Sequence, residues 1–206
     1  MSVPGGPVPG GPVPGGSVPG GPAPDRPARG GSASDRPAAG GFAAEVVLRD
    51  MTEADLPTVH HLEQVLFPDD AWTEQMLREE LSGQPRTRRY VIAESPRGEV
   101  VGYAGLASAG GQADVQTIGV VPGRRGAGIG AALLTELIDE AVRRGSEGLF
   151  LEVRVDNDPA RRLYERFGFE QIGIRERYYQ PANVDAAVMF RRLRTRPPVG
   201  FTREDT

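Results

Sequence analysis

Hydrophobic residues recur along the chain with periods near two and near 3.6, the spacings of a half-buried strand and of a helix with one buried face. This pattern begins near Ala44. Ala44 to Arg49 reads as a first strand, and Thr52-Glu53-Ala54-Asp55 ahead of Leu56 is a helix start with acids in its first turn. That helix runs to about Leu66, where Phe67-Pro68-Asp69-Asp70 breaks it. Thr73 then caps a second helix through Leu81, with Trp72 placed to pack where the two meet. Arg89 to Glu94 and Val100 to Ala107 form a hairpin about Ser95-Pro96-Arg97-Gly98. The next strand, from Gln116 through Ile118 and Val120, ends at Pro122, which has no N–H for a sheet ladder. A glycine-rich loop follows and opens a helix on which Leu133, Leu134, Leu137, Ile138 and Ala141 share a face, and Gly145 stops that helix. Leu149 to Val155 is an apolar strand, and Asn157-Asp158-Pro159 starts a helix that ends at Gly168. Phe169 to Tyr179 and Val184 to Leu193 close the pattern as two antiparallel strands. About seven strands and four helices therefore alternate as an α/β chain over residues 44–194.

Residues 1–43 carry none of this periodicity. Val-Pro-Gly-Gly recurs every five residues from Val3 to Gly21, and Asp-Arg-Pro-Ala occurs at Asp25 and again at Asp35. Proline removes donors, glycine adds chain entropy, and little apolar area is available to offset ordering, so a disordered leader is expected. Residues 195–206 are expected to be a flexible tail. A chain of 206 residues with 38% hydrophobic content has ample material for one core. A net charge of −4 argues against a nucleic-acid-coating protein. The absence of cysteine removes disulfides, thiolate metal sites and cysteine nucleophiles, and two adjacent histidines are too few for a zinc triad, so no metal is expected. With no apolar run of membrane-spanning length and no signal-peptide start, a cytoplasmic setting and no membrane partner are expected, with a monomer favoured.

The chemistry concentrates around Arg125-Gly126-Ala127-Gly128-Ile129-Gly130. Glycines let the backbone come close to a ligand, and the helix they open begins with N–H groups that have no partner inside it, at the positive end of its dipole. Such a site suits a phosphate or pyrophosphate. A P-loop is excluded because its lysine is obligatory and the chain contains no lysine. The spacing Gly126-x-Gly128-x-x-Ala131, with Glu152 beyond, also fits a dinucleotide fingerprint, but four residues separate strand from glycine and too little chain remains for a doubly wound sheet. A connection that binds nothing is a further alternative. Glu152 is conspicuous between Leu151 and Val153, since a carboxylate there would be costly to bury unpaired; it is expected to open onto a cleft. His60 and His61 read as surface or core polar groups.

The hexad resembles the Q/R-x-x-G-x-G/A signature of the GNAT acetyltransferases, whose loop amides hold the coenzyme A pyrophosphate. The likeness widens through Leu151-Glu152-Val153-Arg154, Asn157, Leu163-Tyr164-Glu165 and Phe167-Gly168-Phe169. Arg175, Tyr178-Tyr179-x-Pro181, Asp185-Ala186, His61-Leu62-Glu63 and Phe67-Pro68 make it similar to the RimI-type enzymes within that family, over about residues 45 to 192. The resemblance implies a mixed, mostly antiparallel central sheet flanked by helices. It further implies acetyl-CoA as co-substrate and, as acceptor, the N-terminal alanine of a small-subunit ribosomal protein, bS18. Cofactor contacts would come from Ile118, Gly119 and Val120 on the strand, residues 125–130 in the loop, and Asn157, which could equally be only a helix cap. Glu152 would remove the amine proton, directly or through a water. Tyr164 would protonate the departing thiolate, unless it is a core tyrosine with a satisfied hydroxyl. A small-molecule amine acceptor and a non-catalytic acyl-CoA-binding module remain the alternatives.

Overall fold

A computed structural model describes residues 46–193. The leader read at residues 1–43 and the tail at 195–206 lie outside these residues. Seven strands form one sheet in the order β1-β2-β3-β4-β5-β7-β6. They are β1 (Val47–Asp50), β2 (Arg88–Glu94), β3 (Val100–Ala109), β4 (Gln112–Val120), β5 (Gly148–Arg154), β6 (Glu170–Tyr179) and β7 (Val184–Arg192), with helices α1 (Leu56–Leu66), α2 (Glu74–Ser82), α3 (Ile129–Arg143) and α4 (Asp158–Arg166). All neighbours are antiparallel except β4 and β5. Among the described residues no helix is long and apolar enough to cross a membrane.

Two of the helices start at a local side-chain cap. Thr73 accepts from the Met76 N–H at the head of α2, and Asn157 Oδ1 accepts from the Ala160 N–H at 3.3 Å at the head of α4. The two faces of the sheet bury separate cores. On one, α3 and α4 pack Ile129, Leu133, Leu137, Leu163 and Tyr164 against Ile118, Val120, Leu151 and Val153. On the other, α1 and α2 enclose Leu56, Val59, Trp72 and Leu77 with Tyr90, Ile92 and Tyr103. Trp72 does seal the junction of α1 and α2, and the His60 Nδ1 lies 3.0 Å from its carbonyl, which gives that histidine a structural partner.

Two irregularities position the site. The β3–β4 ladder skips Gln116, pairing Gly105 with Thr117 and Leu106 with Val115. This bulge shifts the alternation, so that Ala113 and Val115 before it and Ile118 and Val120 after it all reach the α3 core. At the same place β4 and β5 part. They pair only through Gln112–Gly148, Ala113–Leu149 and Asp114–Phe150, after which β5 stays with β7 and β4 with β3. A gap thereby opens within the sheet between the far halves of β4 and β5.

The first strand is described from Val47, the expected start at Ala44 lying outside the described residues, and β6 is less regular than its sequence suggests. Its ladder shifts between Gln171 and Gly173 and again between Arg175 and Tyr179, with Arg177 at φ 51°. Asp185 Oδ1 holds that bend by accepting the Arg177 N–H at 2.8 Å.

Candidate active site

The gap is bordered by backbone on one side. The Val121 N–H donates to Val101 O at 3.1 Å, so in the alternation of an antiparallel ladder Gly119 and Val121 turn their backbone groups toward β3, while Ile118 and Val120 turn theirs toward the gap. The Val120 carbonyl also accepts from Arg125 Nε at 3.4 Å. Gly119 has a packing reason to be glycine: a Cβ there would lie 2.4 Å from Cε1 of Tyr103.

Below the end of β4, the turn Pro122–Arg124 and the glycine loop lead into α3. Gly126 and Gly128 have φ of 80° and 83°, values that strain any side chain, and a Cβ on either would meet no protein atom within 4 Å. Their open sides face a solvent-connected hollow of about 420 Å³, lined by Val120, Arg124, Arg125, Gly126, Gly128, Ile129, Gly130 and Ala131 and closed by Leu163 and Arg166 of α4. The head of α3 lacks a side-chain cap, and three arginines surround it, which is the donor set and charge a pyrophosphate requires. Ala127 sits in the loop between these two glycines. Gly130 differs from them: a Cβ there would make only ordinary contacts, at 3.6 Å to Leu163 and 3.8 Å to Val120.

Glu152 and Tyr164 stand on opposite sides of the sheet. Leu151 and Val153 bury in the α3–α4 core, so Glu152 between them points to the α1–α2 face. Its Oε1 lies 3.4 Å from Arg175 Nη1, and the Arg175 guanidinium lies over the Tyr178 ring at 5.4 Å. Asp114, last residue of β4 before the gap, shares that face, and its carboxyl is pushed up to about 6, first by burial and then by the Glu152 charge. Tyr164 is fully buried under α4, its ring 5.6 Å from that of Phe169. Its ring is core, and among the described residues its hydroxyl has no hydrogen-bond partner. Burial holds that phenol well above its usual range, so it keeps its proton. Asn157 caps α4.

Residues 56–169 match the model of the acetyltransferase (GNAT) family. The chain belongs to that family. This GNAT chain is 42% identical over 151 residues to the N-alpha-acetyltransferase RimI of Mycobacterium tuberculosis, a match covering 71% of the chain and 92% of that relative. In three dimensions it is similar to the ribosomal-protein-S18-alanine N-acetyltransferase of Escherichia coli, with a TM-score of 0.65 and 29% identity over 76% of this chain and 99% of that one. A phosphinothricin acetyltransferase from Sinorhizobium meliloti, solved with AcCoA, matches with a TM-score of 0.64 and 26% identity over 77% of this chain and 96% of that one. The chain is an acetyltransferase, and the dinucleotide-binding reading of its glycine loop is set aside.

Several residues of the site escaped the sequence reading. Arg166 joins Arg124 and Arg125 only in space. Asp114 and Arg175 reach Glu152 through strand register, and Arg175 had entered only as part of a resemblance. Glu63 is wholly buried and hydrogen-bonded to Tyr103. One signal for it was present: Leu56, Val59 and Glu63 fall at i, i+3 and i+7, so the carboxylate occupies a core position of α1.

Proposed function

We propose that the protein transfers an acetyl group from acetyl-CoA to the α-amine of a protein N-terminus, the N-terminal alanine of ribosomal protein bS18, with Glu152 as general base and Tyr164 as general acid. The observation that supports the chemistry is the buried Tyr164 hydroxyl, which has no partner among the described residues, on the sheet face opposite the partly exposed Glu152 carboxylate. The similarity to enzymes named for N-terminal and S18-alanine acetylation supports the acceptor.

Acetyl-CoA supplies an acetyl group on a thioester, whose sulfur departs as a thiolate of pKa near ~8.5. The amides at the head of α3, with Arg124, Arg125 and Arg166, would hold its pyrophosphate. Ile118, Gly119 and Val120 would receive the pantetheine arm in the manner of an added strand, with the Val120 N–H toward the thioester oxygen and Asn157 nearby. Glu152 takes a proton from the acceptor ammonium on the α1–α2 face, and the neutral amine then forms the new C–N bond. Tyr164 gives its proton to the sulfur from the α3–α4 face. Mass spectrometry of a bS18 N-terminal peptide incubated with enzyme and acetyl-CoA tests the acceptor. One acetyl group on the α-amine is expected; modification of phosphinothricin or spermidine with the peptide untouched would transfer the reading to small-molecule amines.

A further inference from the structure

Glu63 is a carboxylate that the reaction above leaves unused, and it is enclosed on all sides. Its Oε1 accepts from the Tyr103 hydroxyl at 2.8 Å and the Thr117 hydroxyl at 3.3 Å, while Oε2 accepts from the Trp72 backbone N–H at 3.4 Å. The three donors belong to different parts of the site. Trp72 ends the connection between α1 and α2 on the acceptor face. Thr117 directly precedes Ile118 on β4. The ring of Tyr103 fills the side-chain space of Gly119, so its placement sets the path of β4 between Ile118 and Val120.

Packing alone does not call for this residue. Leucine at position 63 would extend the stripe of Leu56 and Val59 without the desolvation cost of a carboxylate. What the carboxylate adds is the mutual placement of three donors from a helix connection and two strands, and it adds this beside the gap.

We infer that Glu63 is a positioning residue for acetyl transfer: it ties the acceptor-side connection to the strand that presents Ile118 and Val120, and so holds amine and thioester in register. This rests on the acetyl-transfer reading. The glycine loop, which would hold the pyrophosphate, is outside the network, so loss of the network should shift the pantetheine arm against the amine more than it lowers overall coenzyme A affinity. Glu63→Gln keeps size and one carbonyl oxygen, but its amide either meets the Trp72 N–H donor to donor or turns the oxygen away from Tyr103. In the first case the Trp72 bond breaks; in the second the Tyr103 and Thr117 hydroxyls must accept from the amide, and their own protons lose the acceptor they had.

The test is steady-state kinetics with acetyl-CoA and a bS18 N-terminal peptide for wild type, Glu63→Gln, Tyr103→Phe and the double variant, with coenzyme A affinity by calorimetry. Glu63→Gln is expected to lower kcat/KM for the peptide by about ten- to a hundredfold while coenzyme A affinity stays within about twofold. The double variant is expected to lose no more than Glu63→Gln alone, because both act through one link. Wild-type kinetics in Glu63→Gln, or losses that multiply in the double variant, would overturn the inference. So would coenzyme A affinity falling in step with kcat/KM, which marks a general loosening. If Glu63→Gln does not fold, Thr117→Val removes a single donor at nearly constant shape and carries the same expectation at smaller size. If wild type leaves the peptide unmodified, the acetyl-transfer reading fails separately, and hydrogen exchange decides the link: the Trp72 amide should be protected in wild type and exposed in Glu63→Gln, and equal protection refutes it.

Discussion

The two proposed catalytic side chains answer differently to removal of their polar atoms. The Tyr164 hydroxyl is buried with no partner among the described residues, so Tyr164→Phe deletes an unsatisfied group, and stability should hold or rise by up to about 1 kcal/mol. Turnover should nevertheless fall by roughly ten- to ten-thousandfold, since the departing thiolate loses its proton donor. Glu152→Gln should fall within the same range, but its deficit should shrink at high pH, where the acceptor amine, of pKa about 8, deprotonates unaided. Parallel pH profiles of the two variants would defeat this division of roles. Glu63 allows a prediction on stability instead. Burial, working against its three hydrogen bonds, pushes its carboxyl from 4.5 to about 7. Between those values the folded chain holds the proton and the unfolded chain does not, so stability should fall as pH rises through this window, by on the order of 3 kcal/mol. Other groups contribute alike to wild type and Glu63→Gln, so the difference between their denaturant midpoints isolates the effect. A difference that does not change between pH 4.5 and 7 would contradict it.

The glycine loop and the helix behind it form the element most open to a graded test. Gly128→Val places a branched side chain at a φ of 83°, with its Cβ in the hollow, and should weaken coenzyme A binding by tenfold or more on the order-of-magnitude cost of a forced left-handed residue. Gly130→Ala, whose Cβ would meet only ordinary contacts, should bind coenzyme A nearly as wild type does. Calorimetry that ranked the two alike would show that the loop backbone does not approach the ligand. This element was legible because its signals are local: Pro122 ends the strand, glycines permit the turn, and the apolar face of α3 repeats at helical spacing. The bulge at Gln116 was not legible, nor was the bend at Arg177, because each depends on which residue of a neighbouring strand is skipped. For the same reason the salt bridge of Glu152 with Arg175 could not be read, although both residues could be named. Glu63 lay between these cases, marked by a core position but interpretable only once Tyr103 and Thr117 were beside it.

At the scale of the whole molecule, the two faces of the sheet carry different parts of the proposed site. The hollow at the head of α3 lies on the side of Leu163 and Arg166, while Glu152, Arg175 and Tyr178 lie on the side of α1 and α2. A donor and an acceptor entering from opposite faces can be bound together, and the proposed proton acceptor and donor are divided between those faces in the same way. Composition points in the same direction: the chain has neither cysteine nor lysine, so two of the side chains best suited to carry an acetyl group covalently are missing. Transfer should therefore be direct, within a complex holding both substrates. Initial rates measured while acetyl-CoA and the bS18 peptide are each varied should give double-reciprocal lines that intersect, and enzyme incubated with acetyl-CoA alone should stay unmodified by mass spectrometry. Parallel lines together with an acetylated enzyme that passes its group to the peptide would replace direct transfer with a covalent relay, and the opposed placement of Glu152 and Tyr164 would then need another explanation.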